Sequence, residues 1–194
     1  MNRSTFLALV GVAVLAAAPG ATTASEPHVE PITAFADSVV RGWIAEPVLV
    51  EAVKAQNAET GGYDQAKIDA LDQQWRAETA AAASPMIDDV LANALSQWLD
   101  SAKEQQGGLV TEIFVMDAKG LNVGQSDVTS DYWQGDEAKF QKTFDVGPDA
   151  VFVDGVERDE STQMFQSQVS VTVVDPASGA SIGAITVGIN VDAL

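Results

Sequence analysis

Apolar residues in this chain recur at helical spacing up to about residue 107 and at a spacing of two after it, and that change of period limits what the chain can fold into. In the first part Ile32, Phe35, Val39, Trp43, Leu49 and Val53 mark one long helix, which Pro47, lacking an amide hydrogen, must kink or restart near Glu46. Gly61-Gly62 ends it. A second helix is predicted over 64–80, with Ile68, Leu71 and Trp75 on one side. A third starts at Ser84-Pro85, Ser as cap and Pro in the first turn, and carries Ile87, Val90, Leu91, Leu95 and Trp98. Gly107-Gly108 closes this half.

Beyond Gly108 the pattern is that of strands. Residues 109–116 are β-rich, and Asp117-Ala118-Lys119-Gly120 supplies a type I turn with Gly in the left-handed position before a second strand over 121–126. Further strands are predicted over 150–157, 165–174 and 181–191, with residues 175–179 as a turn. An irregular aromatic segment, 130–144, crosses between the second strand and the third. The expected class is therefore α+β, with long N-terminal helices packed on a five-stranded antiparallel sheet. Residues 25–108 form the helical part and 109–194 the sheet of one domain.

Residues 6–18 contain no charged side chain, follow the lone Arg3, and lead into Pro19-Gly20 and the small residues 21–24. This is the make-up of a secretory signal peptide cleaved near Ala24. The run is shorter than the roughly 20 apolar residues of a membrane span and is broken by Pro-Gly, so cleavage is the expected outcome and retention as an anchor the alternative. The expected compartment is the periplasm or the outside of the cell, with no membrane span in the mature chain. A net charge of −18 repels a phosphate backbone, so nucleic acid is not an expected partner. There is no Cys. His28 beside Pro27 is expected in a mobile tail, and without a second His or a thiol no nucleophilic triad can be built. Asp154, Glu157, Asp159 and Glu160 lack the spacing of a calcium loop. The chain reads as no enzyme, with no cofactor and no metal.

In the strand over 181–191 the odd positions Ile185, Val187, Ile189 and Val191 are large and apolar, whereas Ala184, Thr186, Gly188 and Asn190 are small or polar. The strand over 165–174 divides the same way, Phe165, Val169, Val171 and Val173 against Gln166, Gln168, Ser170 and Thr172. One face packs under the helices. The other is either wetted by solvent or a small-molecule site closed by Tyr132 and Trp133. On the second alternative the contact residues are Tyr132, Trp133, Ser170, Thr172, Thr186 and Gly188, with Lys139 as a point charge for an anion. Lys139 and Lys142 beside Asp136 and Glu137 are more often surface ion pairs.

Residues 112–120 (Glu-Ile-Phe-Val-Met-Asp-Ala-Lys-Gly), Ser126-Asp127, residues 130–137 (Ser-Asp-Tyr-Trp-Gln-Gly-Asp-Glu) and the closing run 182–191 together resemble the extracytoplasmic Cache, or PDC, sensor domains. The resemblance covers residues 32–191. It implies a PAS-like sheet with a long helix, here 43–57, laid along it. Most such domains are ectodomains of chemoreceptors, histidine kinases or cyclases, anchored in the membrane on both sides, and this chain departs from that pattern. The double-Cache amino-acid sites have an Arg ahead of a Trp-Tyr pair; here the order is Tyr-Trp with Asp131 in front, which removes the guanidinium that would clamp a carboxylate. The implied function is an exported ligand-binding sensor for an organic acid, amino acid or amine, reporting to a membrane receptor or histidine kinase. The alternative is a protein-interaction or structural domain working through exposed strand edges.

Overall fold

Apolar side chains four residues apart place Ile32, Ala36 and Val40 in one buried line, and the helical run that carries them is α1 (Val29–Phe35), a π-helical stretch (Ala36–Val40) and α2 (Arg41–Trp43). The computed structural model of the protein describes residues 26–158 and 165–194. The signal-peptide assignment and two of the weighed acids, Asp159 and Glu160, fall outside those residues. At Glu46 the backbone turns extended (φ −64°, ψ 132°), and α3 (Pro47–Thr60) begins with Pro47 in its first turn. The expected long helix thus restarts there, because a proline is tolerated where the amide would have no intrahelical partner. The Asp64 side chain caps α4 (Gln65–Glu78) by accepting from the Lys67 amide at 2.9 Å.

The predicted third helix is in fact two, α5 (Pro85–Ala92) and α6 (Ala94–Glu104). Asn93 separates them. Its backbone is extended (ψ 161°), its Oδ1 accepts from the Ser96 amide at 2.8 Å, and its Nδ2 donates to the Val123 carbonyl at 2.9 Å. A capping bond plus an anchor on the sheet outweighs the helical periodicity that runs through this position.

The strands are β1 (Val110–Asp117), β2 (Asn122–Gln125), β3 (Val151–Val153), β4 (Glu157–Arg158), β5 (Phe165–Val174) and β6 (Ser181–Asn190). They form one antiparallel sheet in the order β2-β1-β6-β5-β3, with β4 also paired to β5. The strand expected over 150–157 is split around Asp154 and Gly155, which makes six strands among the described residues where five were expected. Within the sheet Val187 stands between Ile113 of β1 and Val169 of β5.

The alternation places the helix-facing side as predicted. Ile113, Val115, Val169, Val171, Val173, Ile185, Val187 and Ile189 pack against Leu49 and Val53 of α3 and Leu95 and Leu99 of α6. Phe165 departs from the series, 49% exposed at the end of β5. His28 departs from its predicted tail: it is buried, and its Nε2 lies 3.2 Å from the Asp154 carbonyl beyond β3.

Helix α3 also grips the β1–β2 turn. Asp117 accepts from Thr60 Oγ1 at 2.7 Å, Gln56 Nε2 at 3.1 Å and, within the turn, the Lys119 and Leu121 amides. Gly120 closes the turn at φ 81°, and a Cβ there would meet the backbone of Gly135 at 2.6 Å. Gly120→Ala is therefore expected to cost about 2 kcal/mol or more from the left-handed backbone and the clash together. The measurement is a lower urea midpoint at unchanged slope; an unchanged midpoint would show that neither constraint holds.

Candidate functional site

The second face of the sheet carries Glu112, Phe114 and Met116 of β1, Ala184, Thr186 and Gly188 of β6, and Gln166, Gln168, Ser170 and Thr172 of β5, residues the register sets beside one another. Most of it is covered. The short helix α7 (Ala138–Gln141) packs Phe140 on Phe114, Met116 and Ala184, and Phe144 stacks on Phe140 with centroids 5.0 Å apart. Ser170 and Thr186 are fully buried and hydrogen-bonded to each other at 2.9 Å. Thr172 is fully buried as well. These three side chains belong to a sealed layer, not to an open surface, because two phenylalanines of the crossover segment lie over that end of the sheet.

The other end is open. A cleft of about 730 Å³ is floored by Glu112 and Phe114 of β1 and Gln166 and Gln168 of β5. The loop 127–131 forms one wall, β4 the other, and Gln134 and Lys139 close one end. Gly188 lies beneath the floor, since a Cβ there would touch Thr111 and Glu112. The Glu112 carboxylate accepts from Gln168 Nε2 at 2.9 Å and Gln166 Nε2 at 3.4 Å, and Gln166 Oε1 accepts from Thr111 at 2.8 Å. Floor amides and carboxylate are thus mutually oriented before anything binds.

Lys139 lies at one end of the cleft. Its ammonium is 2.8 Å from Glu137, donates to Gln134 Oε1 at 3.3 Å and lies 5.3 Å from the centre of the Phe114 ring. The contact with Glu137 is an ion pair of the kind the sequence suggested. Lys142 instead lies over the Phe152 ring at 4.2 Å.

Tyr132 and Trp133 are elsewhere. They pack with Ile68, Trp75, Ile87 and Leu121 in a cluster under α4 and α5. Tyr132 is stacked on Trp75 at 5.4 Å, and burial pushes its phenol pKa above the ordinary value. The Trp133 indole donates to the Lys119 carbonyl at 2.8 Å, and both backbone amides donate to Asp72 Oδ1 of α4, at 2.9 and 3.1 Å. The pair placed as a lid is structural: it fastens the crossover segment to the helices.

The cleft wall contains what the sequence reading passed over. Asp127 is held by Lys103 of α6 at 2.6 Å, and Asp131 by Arg76 of α4 at 3.0 Å. Between them the Thr129 carbonyl accepts from the Trp75 indole at 2.8 Å. Thr129 Oγ1 also accepts from Asn122 Nδ2 at 2.9 Å. Gln166 and Gln168 stood on the predicted polar face, and Glu112 in the resembling run, so the signal was present. The crossover covers one end of that face, and no period in the sequence reports which end.

No family model matches the sequence, and no curated protein matches it. Among solved structures, the fold is similar to the sensory domain of the Campylobacter jejuni chemoreceptor Tlp3 (TM-score 0.40, 11% identity, 81% of this chain and 63% of that one). It is also similar to the ligand-binding domain of the Pseudomonas aeruginosa PAO1 amino acid chemoreceptor PctC in complex with GABA (0.39, 10%, 75% and 63%). A third is the sensor domain of the V. cholerae histidine kinase DctB (0.36, 13%, 75% and 57%). The chain spans about six-tenths of the length of the domains it matches. Among the described residues no helix is long and apolar enough to cross a membrane.

Proposed function

We propose that this protein is an exported ligand-binding sensor module that takes a small polar molecule into the cleft over Glu112, Gln166 and Gln168, and passes its occupancy to a membrane receptor or histidine kinase. Binding, not catalysis, is the role assigned. The observation that carries the reading is the cleft itself: a volume of about 730 Å³ beside a sheet face otherwise sealed, lined by amides and hydroxyls at fixed spacing. Of the three ligand classes the sequence suggested, the lining favours those with an amine. Glu112 stands on the cleft floor and Asp127, Asp131 and Glu157 in its walls, while of the cations Lys103 is paired with Asp127, Arg76 with Asp131 and Lys139 with Glu137, and Arg158 also lines it. The field of a chain with net charge −18 draws cations toward it.

The test is a thermal-shift screen of dicarboxylates, amino acids and amines on the purified protein. A compound at 100 times its dissociation constant stabilises by about 2.7 kcal/mol, readable as a rise of several degrees. Amines and amino acids are expected to give the shifts, and Glu112→Gln is expected to weaken the best of them about tenfold or more, the loss of a charge-assisted hydrogen bond. Shifts from dicarboxylates alone would overturn the ligand class. A hit unaffected by Glu112→Gln would remove the cleft.

A further inference from the structure

The cleft wall is tied to the helical layer by one continuous chain of polar contacts. Asp72 Oδ2 accepts from Arg76 Nε at 2.6 Å, and Arg76 Nη2 donates to Asp131 Oδ2 at 3.0 Å. Asp131 Oδ1 accepts from Gln134 Nε2 at 2.7 Å, and Gln134 Oε1 accepts from Lys139 Nζ at 3.3 Å. Gln134 is 1% exposed, and the side chains of Asp72 and Asp131 are 14% and 12% exposed. Arg76 is half in solvent, outside the cleft, but its planar fork spans both carboxylates from two different nitrogens.

A primary amide has a donor end and an acceptor end, and the neighbour that takes one end decides where the other points. Asp131 offers Gln134 two acceptors, its carboxylate at 2.7 Å and its carbonyl at 3.2 Å, so the amide nitrogen is committed to the wall. The amide oxygen is thereby turned to Lys139. Asp131 Oδ1 also accepts from Ser130 Oγ at 3.0 Å; without the guanidinium the carboxylate loses its tie to α4, and the amide nitrogen keeps the longer bond to the Asp131 carbonyl as its one fixed acceptor.

Resting on the reading of the cleft as a binding site, we propose that Arg76 is a positioning residue: from α4, through Asp131 and Gln134, it fixes one of the two polar contacts that aim the Lys139 ammonium, the other being the Glu137 carboxylate at 2.8 Å. Lysine cannot take its place fully, because an ammonium, a point charge on a flexible stem, does not hold two carboxylates in a planar fork. The donor pattern at that end of the cleft thus depends in part on a residue outside it.

The test needs no ligand. In ¹⁵N-labelled protein, hydrogen exchange of the Gln134 side-chain amide is compared with that of backbone amides in β1 and β6. Arg76→Gln is expected to speed exchange at Gln134 about tenfold or more while the sheet amides stay within about twofold. Arg76→Lys should recover only part of the protection, and it carries the measurement should Arg76→Gln fail to fold. Lys103→Gln, at the other end of the same loop, should leave Gln134 as in the parent. Gln134 exchange unchanged in Arg76→Gln would overturn the proposal, as would acceleration spread equally over the sheet. Failure of the cleft reading looks different: the thermal-shift screen is blank while the Gln134 amide still answers to Arg76.

Discussion

Val187→Asp is expected to leave no cooperatively folded protein at 25 °C. Val187 is fully buried in the central strand β6, against Ile113 on one side and Val169 on the other and beneath the α3 and α6 side chains of the main core. An aspartate there has no partner and trades a well-packed valine for a charge, a loss of about 4 kcal/mol or more, on the scale of a whole domain's stability. Alternation alone makes Thr172→Asp, on the other face, look mild. With Thr172 fully buried, it too should cost several kcal/mol, since the carboxylate would enter a dry layer. Val146→Asp, at a site 70% exposed, is the control and should stay within about 0.5 kcal/mol. Circular dichroism and urea unfolding of the three proteins check this. A folded Val187→Asp protein would mean that the helix-facing side is misassigned.

Trp75→Ala should be the costliest change outside the sheet. The ring is fully buried, stacked on Tyr132 with an interplanar angle of 25°, and its indole nitrogen holds the Thr129 carbonyl of the cleft wall. Truncation is expected to cost about 3–5 kcal/mol. Trp75→Phe keeps much of the stacking and loses the hydrogen bond, so it should fall between the two and loosen residues 127–131 more than it lowers the melting temperature. Denaturant unfolding gives the first quantity and amide exchange across the loop the second. A loss below about 1 kcal/mol for Trp75→Ala would show that the cluster under α4 and α5 is incidental to the fold.

The elements that could be read from the sequence are those whose cause is local. Pro47 restarting a helix, Gly120 in a left-handed turn, and the apolar side of β6 each follow from what a few neighbouring residues permit. The misreadings have remote causes. Asn93 breaks a helix because Val123, thirty positions on, offers it a carbonyl. Tyr132 and Trp133 look like a lid because they are aromatics in an irregular stretch. They are an anchor because Asp72, sixty positions earlier, holds their amides. The small and polar face of β5 and β6 is where it was expected to be, but Phe140 and Phe144 seal its Ser170–Thr186 end and leave the Gln168 end open. A pattern of period two identifies a face and is silent about which stretch of it another segment will cover.

The strand order has a consequence for how the chain comes to be folded at all. The last strand along the described chain, β6, lies in the middle of the sheet, between β1 and β5. Until residues 181–190 have been synthesised, β1 has only β2 beside it, and β5 has only the short β3 and β4. Two narrow ribbons of that kind are at best marginally stable. The chain cannot therefore settle the centre of the sheet piece by piece; it waits for β6 and then closes pairings between residues some seventy positions apart, a slow, non-local step.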